Sequence, residues 1–322
     1  MAKLPTVTDV GLAAGVSRQT VSNVLNAPEL VAPATRDRVL AAIADLGYRP
    51  HASARRLRTA RSSTIGIRLD PVTDGISGSV LDRFLHALTE QADARGLRVL
   101  LFTASDPEDE IRQFGRLRDG ADIDAFVLTS TFFGDPRTDW LIAEQIPFVT
   151  FGRPWGLSDF DDPAHPWVDV DGFAGLAAST AHLRALGHER VAHLGWPEGS
   201  GTGDDRRRGW RSIMGEADEL LVYAEDSVPS ARAAVAAFLD TGARVDAFAC
   251  SSDSLALGAV LATSGTIPVV GYDDTPVAAA LGFSSVEQPL DRVARGALDL
   301  LLGDADASAP RHRLETPSLV IR

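Results

Sequence analysis

Asp9-Val10-Gly11-Leu12-Ala13-Ala14-Gly15-Val16-Ser17-Arg18-Gln19-Thr20-Val21-Ser22-Asn23-Val24-Leu25-Asn26 reads as two short helices joined by a tight turn. Thr6 and Asp9 have the spacing of a capping box, in which the hydroxyl accepts from the third helical N–H while the carboxylate reaches back. Gly15 supplies the turn, and Ser17 is placed to cap a second helix whose Val21, Val24 and Leu25 face inward. Arg18, Gln19, Ser22 and Asn23 are left pointing outward. Arginine and carboxamide side chains can make bidentate bonds to guanine and adenine edges, so this second helix has the chemistry needed to read a DNA major groove. The spacing by itself also fits an ordinary amphipathic helix pair, and the rest of the chain decides between the two.

A third helix is expected over residues 35–46, where Val39, Leu40, Ile43 and Leu46 recur at helical spacing before Gly47, a residue suited to a left-handed stop. Three such helices can bury one small core. Next comes Tyr48-Arg49-Pro50-His51-Ala52-Ser53-Ala54-Arg55-Arg56-Leu57-Arg58-Thr59-Ala60-Arg61, in which arginines surround a single leucine. Standing alone, such a charge run would be a solvated linker.

Combined with that run, Ala13-Ala14-Gly15-Val16-Ser17 followed by Thr20-Val21-Ser22-Asn23-Val24-Leu25-Asn26 resembles the lactose and purine repressor family, and the resemblance covers nearly the whole chain. It implies an all-α helix-turn-helix DNA-binding headpiece over residues 1–61, with a hinge helix at about 51–59 that folds on the operator. In the family the hinge leucine wedges between base pairs in the minor groove, and Leu57 occupies that position. An apolar wedge can kink the duplex while flanking arginines meet phosphates. The candidate DNA contacts are Thr6, Ser17, Arg18, Gln19, Thr20, Ser22 and Asn23 in the headpiece, and Ala54, Arg55, Leu57 and Arg58 in the hinge. One departure is Ala32, where most relatives carry Ser or Thr as the cap of the third helix; that start should fray or take its cap from Thr35.

At 322 residues the chain exceeds one ordinary domain, and its apolar fraction is ample for a real core. No segment reads as a membrane span, and Met1-Ala2-Lys3-Leu4-Pro5 lacks the charged-then-apolar plan of a signal peptide, so a cytoplasmic protein is expected. Cys250 is the single cysteine, placed in an apolar run as a buried strand residue and unable to form an internal disulfide. The net charge of −13 divides unevenly, since residues 1–62 hold nine Lys/Arg against four Asp/Glu and the remainder holds 22 against 40. Basic charge is thus concentrated where phosphates should lie, and the acidic remainder discourages non-specific attachment to DNA.

From residue 63 onward short β-rich runs alternate with amphipathic helices, the pattern of parallel sheets covered on both faces. Strands are expected at 64–69, 98–103, 125–129 and 147–151, with helices such as 80–95 and 111–119 between them. The set then repeats, with strands at 190–195, 219–223, 247–251 and 268–272 and helices at 173–186, 231–239 and 254–263. Two similar halves imply a cleft, with ligand at the C-terminal ends of the strands. The resemblance implies the same architecture: an α/β body of two doubly wound subdomains, like type I periplasmic binding proteins, that binds effector and dimerises over 62–322. The N-subdomain is then about 62–160 and 290–315, and the C-subdomain about 161–289 and 316–322, with crossovers near 161–171, 288–290 and the final strand.

The resemblance is specific again at residues 170–172, 182–192, 252–259 and 269–275. Arg206 matches the family arginine that reaches ligand from the first helix of the second half, and its planar fork suits paired sugar hydroxyls or a carboxylate. Asp273, at a strand end, matches the family acid that accepts from ligand hydroxyls. A salt bridge on the cleft wall and a helix cap are the plainer alternatives for these two. Ser252 and Asp253 end another strand, where Asp253 also suits a helix cap, and Gln288 sits on a crossover where it could sense closure. Asp70, Ser130 and Arg153 are polar candidates on the opposing half. Phe132, Phe133, Trp155, Trp167 and Trp196 follow strands or sit at crossovers; core packing explains any one of them, but the cluster favours a carbohydrate effector, including a glycoside larger than one ring, over a purine. Residues 199–203 have the wrong spacing for a dinucleotide fingerprint and read as a mouth loop.

His182, His188 and His193 lack metal-ligand spacing, and neither a metal nor a cofactor is expected. A doubly wound hydrolase or transferase would need a phosphate-loop lysine, a Gly-x-Ser-x-Gly elbow or a metal cluster, none of which is written here, so no enzyme is expected. An export-side binding protein fails on the missing signal and the DNA-reading start. The remaining reading is a transcriptional regulator with three partners: a pseudo-palindromic operator, a second copy of the chain, and a small effector. The chain ends at Arg322 without the leucine heptads that make the lactose repressor a tetramer, which suggests a homodimer.

Overall fold

The computed structural model describes residues 5–48, 62–70, 76, 78–157, 159–303 and 310–322. The chain divides into two compact units, Met1–Ser62 and Ser63–Arg322. The hinge candidates Ala54, Arg55, Leu57 and Arg58 lie outside the described residues.

The first unit holds helices α1 (Val7–Ala14), α2 (Arg18–Asn26) and α3 (Pro33–Leu46). Both halves of the capping box form at α1, with Asp9 N donating to Thr6 Oγ1 at 3.4 Å and Thr6 N donating to Asp9 Oδ2 at 2.8 Å. Gly15 closes α1 at φ +64°, and Gly47 closes α3 at φ +61°. Val10, Val21, Val24, Val39 and Tyr48 form the shared core. Of the apolar positions expected on α3, Leu40 and Leu46 are exposed, and Ala42 takes the inward place beside Val39. Thr35 does not cap this helix. It starts two residues earlier at Pro33, whose ring has no N–H to satisfy.

The second unit contains two six-stranded sheets of the same order. The first is built from β1 (Thr64–Arg68), α4 (Gly78–Asp93), β2 (Arg98–Phe102), α5 (Pro107–Asp119), β3 (Ala125–Leu128), α6 (Pro136–Ala143), β4 (Phe148–Phe151) and β5 (Trp167–Val170). The second follows as α7 (Gly172–Ala185), β6 (Val191–Gly195), α8 (Gly201–Met214), β7 (Leu221–Tyr223), α9 (Val228–Asp240), β8 (Ala247–Cys250), α10 (Asp253–Thr263), β9 (Val269–Tyr272), α11 (Pro276–Leu281) and β10 (Ser284–Glu287). The chain then returns to the first half as α12 (Leu290–Leu302) and β11 (His312–Glu315), and ends in the second as β12 (Ser318–Val320). Strand order is β2-β1-β3-β4-β5-β11 in one sheet and β7-β6-β8-β9-β10-β12 in the other, all parallel except the β10–β12 pair.

Central strands such as β3, β6 and β8 are buried along their whole length, as a sheet covered on both faces requires. In the first half Phe84 and Leu88 of α4 and Val293 and Leu298 of α12 cover one face, and Phe114 and Leu141 cover the other. The second half packs around Trp210, Phe248 and Tyr272, with Trp210 Nε1 donating to Val191 O at 3.0 Å. Each such side chain contributes about 1.5–3 kcal/mol by leaving water. Gly209 lets α8 lie against α7, since a Cβ there would come within 2.1 Å of Phe173 O.

The expected boundary at residue 161 shifts by ten residues. Trp167–Val170 is a strand of the first sheet, held between β4 and β11, so the first crossing to the second half comes at Asp171. Preceded by an Asp- and Pro-rich stretch and separated from β4 by no helix among the described residues, β5 gives a weak pattern in sequence. The other crossings run between β10 and α12 and between β11 and β12.

Candidate functional site

On α2 the inward and outward faces separate cleanly. Val21 and Val24 are buried, Arg18 and Gln19 are exposed, and Ser22 and Asn23 are half-buried. Ser17 caps the helix, accepting from Thr20 N at 3.1 Å, and its hydroxyl lies 2.9 Å from that of Thr20. Gln19 Nε2 donates to Asn23 Oδ1 at 3.0 Å, which aligns two carboxamides along one edge. Thr6 is held at the α1 cap, its hydroxyl donating to Asp9 Oδ2 at 2.7 Å. The result is an exposed cation, two carboxamides and small hydroxyls on one short helix, with free N–H groups at its start that suit a phosphate.

The two sheets of the second unit meet at a cleft of about 310 Å3. It lies beyond the C-terminal strand ends, where doubly wound sheets bind ligands. Of the expected residues, Asp70, Ser130, Arg206 and Gln288 line it. A larger groove of about 630 Å3 opens between α4 and α12, ringed by charges such as Arg83, Glu90, Glu287 and Arg292. That groove lies off the convergence of strand ends, so we place the site in the smaller cleft.

Arg206 is the best-prepared group. It is almost fully buried, with its guanidinium carbon 3.7 Å from the Tyr272 ring centroid and 5.1 Å from that of Trp196. Nη1 donates to Ser251 O at 2.5 Å, while Nε has no hydrogen-bond partner among the described residues. The stacked rings hold the fork, and no carboxylate in the described residues forms a salt bridge with it, which removes the plainer reading of Arg206. The helix that carries it is the second of its half, not the first.

Asp273 follows β9 in a left-handed conformation, φ +104°, and accepts from Gln288 Nε2 at 2.6 Å. It caps no helix, because Thr275 occupies the cap position of α11. Burial pushes its carboxyl up to about 7, the nearby Arg206 charge opposing and Asp253 reinforcing that rise. Gln288 thus touches both the cleft and this acid.

Three expected contacts have other employment. Arg153 forms ion pairs with Asp169, Nε to Oδ2 at 2.9 Å, and with Asp205 of α8, and it stacks 4.6 Å from the Trp155 centroid. It is a strut between the halves, its charge already neutralised. Ser252 caps α10 and donates to Asp226 Oδ1 at 2.5 Å. Asp253 is not the cap either, being the buried acceptor of Thr275 N, Thr275 Oγ1 and Ser285 Oγ at 2.7, 2.8 and 2.6 Å. Trp155 and Trp196 flank the first turn of α8. Trp155 lies so close over Gly201 that a Cβ there would stand 2.2 Å from Cδ2, and Trp196 packs beside Gly203.

The cleft also takes in Thr129, Thr131, Asp169 and Thr202, which the sequence reading passed over. Thr202 falls in the stretch expected as a mouth loop, but residues 201–203 are the first turn of α8, with Gly203 N donating to Ser200 Oγ at 3.2 Å. The cap signal of Ser200 was the available clue. Among the described residues no cluster of His, Cys, Asp and Glu is arranged for a metal, and no helix is long and apolar enough to cross a membrane. Cys250 is buried, and burial raises its thiol pKa.

Residues 6–51 match the family described as bacterial regulatory proteins, lacI family. Residues 78–287 match the family of periplasmic binding proteins and the sugar binding domain of the LacI family. The HTH-type transcriptional regulator CelR of Thermobifida fusca is 34% identical over 92% of this chain and 91% of its own. A solved structure described as a transcriptional regulator CelR-cellobiose complex is similar with a TM-score of 0.71 and 28% identity, covering 99% of both chains. The Lac repressor bound to ONPG in its repressed state gives a TM-score of 0.82 at 25% identity, again over 99% of both chains.

Proposed function

Because the chain belongs to the LacI family of DNA-binding transcriptional regulators, we propose that it is a repressor whose operator affinity is controlled by a small carbohydrate held between the two halves of its α/β body. Its matched relatives are regulators and not enzymes. The observation that supports the reading is Arg206, a buried, ring-stacked guanidinium that lines the cleft with no salt bridge among the described residues, close to a buried acid at Asp273. A donor fork on α8 and an acceptor at the end of β9 suit neighbouring sugar hydroxyls. The cellobiose complex of the related CelR supports a sugar.

On the DNA side, Arg18, Gln19, Ser22 and Asn23 read bases from α2, Thr6, Ser17 and Thr20 meet the backbone, and the hinge with Leu57 kinks the duplex. One reading helix per chain calls for a homodimer on a pseudo-palindromic operator, since two-fold protein symmetry demands two-fold DNA. A DNA partner places the protein in the cytoplasm.

A ligand moves such an equilibrium only by its differential affinity for the two states, typically about 1–3 kcal/mol. Fluorescence anisotropy of a labelled operator, titrated with and without sugar, tests the scheme. Arg206→Ala and Asp273→Ala should bind operator like the wild type without sugar and lose the response to it. A normal response in both variants, or lost operator binding by folded protein, would refute the cleft assignment.

A further inference from the structure

The turn that carries Asp273 has a backbone that its residues do not favour. Asp273 and Asp274 follow one another at φ +104° and +46°, left-handed values that residues other than glycine keep only where their surroundings impose them. Part of that restraint comes from the second half itself. Asp273 N donates to Val286 O at 2.7 Å, Asp274 N donates to Ser285 Oγ at 3.0 Å, and the Arg322 guanidinium pairs with the Asp274 carboxylate at 2.7 Å.

A further restraint reaches the turn from the first half. Nη1 of Arg83, on α4, donates to Asp273 O at 3.1 Å and to Asp274 O at 3.3 Å, so one cation gathers both carbonyls of the turn. Its Nη2 lies 3.7 Å from Glu287 Oε1 at the end of β10. Just ahead of Arg83, Val80 and Leu81 of α4 line the cleft. One helix of the first half therefore borders the cleft and grips the turn that holds the acid.

The halves are also tied by Arg153, but the two ties differ in how readily they break. Asp169 and Asp205 are buried beneath Arg153, so its loss would strand two carboxylates away from water. The Arg83 side chain is 38% exposed and its partners on the turn are neutral carbonyls, so water can replace them with no buried charge left behind. Of these two ties, Arg83 is the one suited to being made and released in each cycle of closure.

We propose that Arg83 is a positioning residue for the effector site: by gripping the Asp273–Asp274 turn from the opposite half, it sets the acid in its binding geometry only while the cleft is closed. An effector that accepts this geometry then favours closure through the backbone as well as through its own contacts. The inference rests on the assignment of the cleft to an effector, and its test uses no sugar, so the two fail separately.

Hydrogen–deuterium exchange of the full chain, read by mass spectrometry, compares Arg83→Ala with Arg322→Ala. Both remove a cation from the same turn, one from across the cleft and one from within the second half. Arg83→Ala should speed exchange about tenfold in peptides spanning Asp273 and Asp274, and also in the first turn of α8, which Trp155 of the first half covers at Gly201. Arg322→Ala should speed exchange at the turn alone. Arg83→Lys, which keeps a cation, should restore most of the protection at α8, and unchanged exchange in the buried strand β3 shows that each variant is folded. Wild-type exchange at the turn in Arg83→Ala would remove the positioning role. A change confined to the turn, as in Arg322→Ala, would remove its dependence on closure.

Discussion

Each half of the α/β body buries a carboxylate behind the cleft wall, and the two are compensated by opposite means. In the first half Glu110 of α5 is 1% exposed and pairs with two arginines, Arg137 Nη1 at 2.9 Å and Arg68 Nε at 3.4 Å. In the second half Asp253 is fully buried without a salt bridge among the described residues, and neutral donors from Thr275 and Ser285 surround it. Burial raises the pKa of both acids, opposed by the arginine charges at Glu110 and by hydroxyl and amide hydrogen bonds at Asp253. Both arrangements anchor a loop that serves the cleft. Arg137 Nη2 also donates to Thr129 O and Ser130 O at 3.1 and 3.2 Å, holding Ser130 at φ +56°, whereas Asp253 fixes the turn that follows Asp273. Charge holds one wall and hydrogen-bond geometry holds the other.

The comparison predicts different penalties for breaking each device. The largest belongs to Arg137→Ala, which leaves Glu110 with only its more distant arginine and frees two carbonyls; urea unfolding should show a loss of about 3–5 kcal/mol. A loss below about 1 kcal/mol would mean that the first wall does not depend on its ion pair.

Next comes pH. Folding raises the Asp273 carboxyl to about 7, so the folded chain holds that proton more tightly than the unfolded chain does. Its contribution is fully present below the unfolded pKa and declines as pH rises from about 4 to about 7, by at most about 1.4 kcal/mol per pH unit. Unfolding curves across that window should flatten in Asp273→Asn relative to wild type, and parallel curves would show that Asp273 is ionised throughout. The smallest effect is expected for Asp253→Asn. It preserves shape and one acceptor but sets an NH2 against a donor of Thr275 or Ser285, for a loss of about 1–3 kcal/mol. If this substitution proved more damaging than Arg137→Ala, the ranking of the two walls would be reversed.

What the sequence disclosed follows the range of the interactions concerned. The headpiece was legible because its decisive bonds span three residues, Thr6 to Asp9 and Ser17 to Thr20, and because Gly15 and Gly47 mark its stops locally. The alternation of strands and helices was legible for the same reason, apart from strands such as Trp167–Val170, which follows β4 with no helix between them among the described residues and so falls outside the alternation. The fate of Arg153 was not legible, since Asp205 lies 52 residues away and nothing near Arg153 announces it. Asp253 misled because a carboxylate at a helix start suits a cap, and its true partners lie 22 and 32 residues on.

The contact between Trp155 and Gly201 has a practical consequence. The indole belongs to the first half and the glycine to the second, so opening of the cleft must lift the ring off the first turn of α8 and admit water to a face that is now dry. The protein therefore carries its own optical gauge. Closing and opening should appear as opposite shifts of intrinsic tryptophan emission, and the trace can be followed in a stopped-flow cell without attaching any dye.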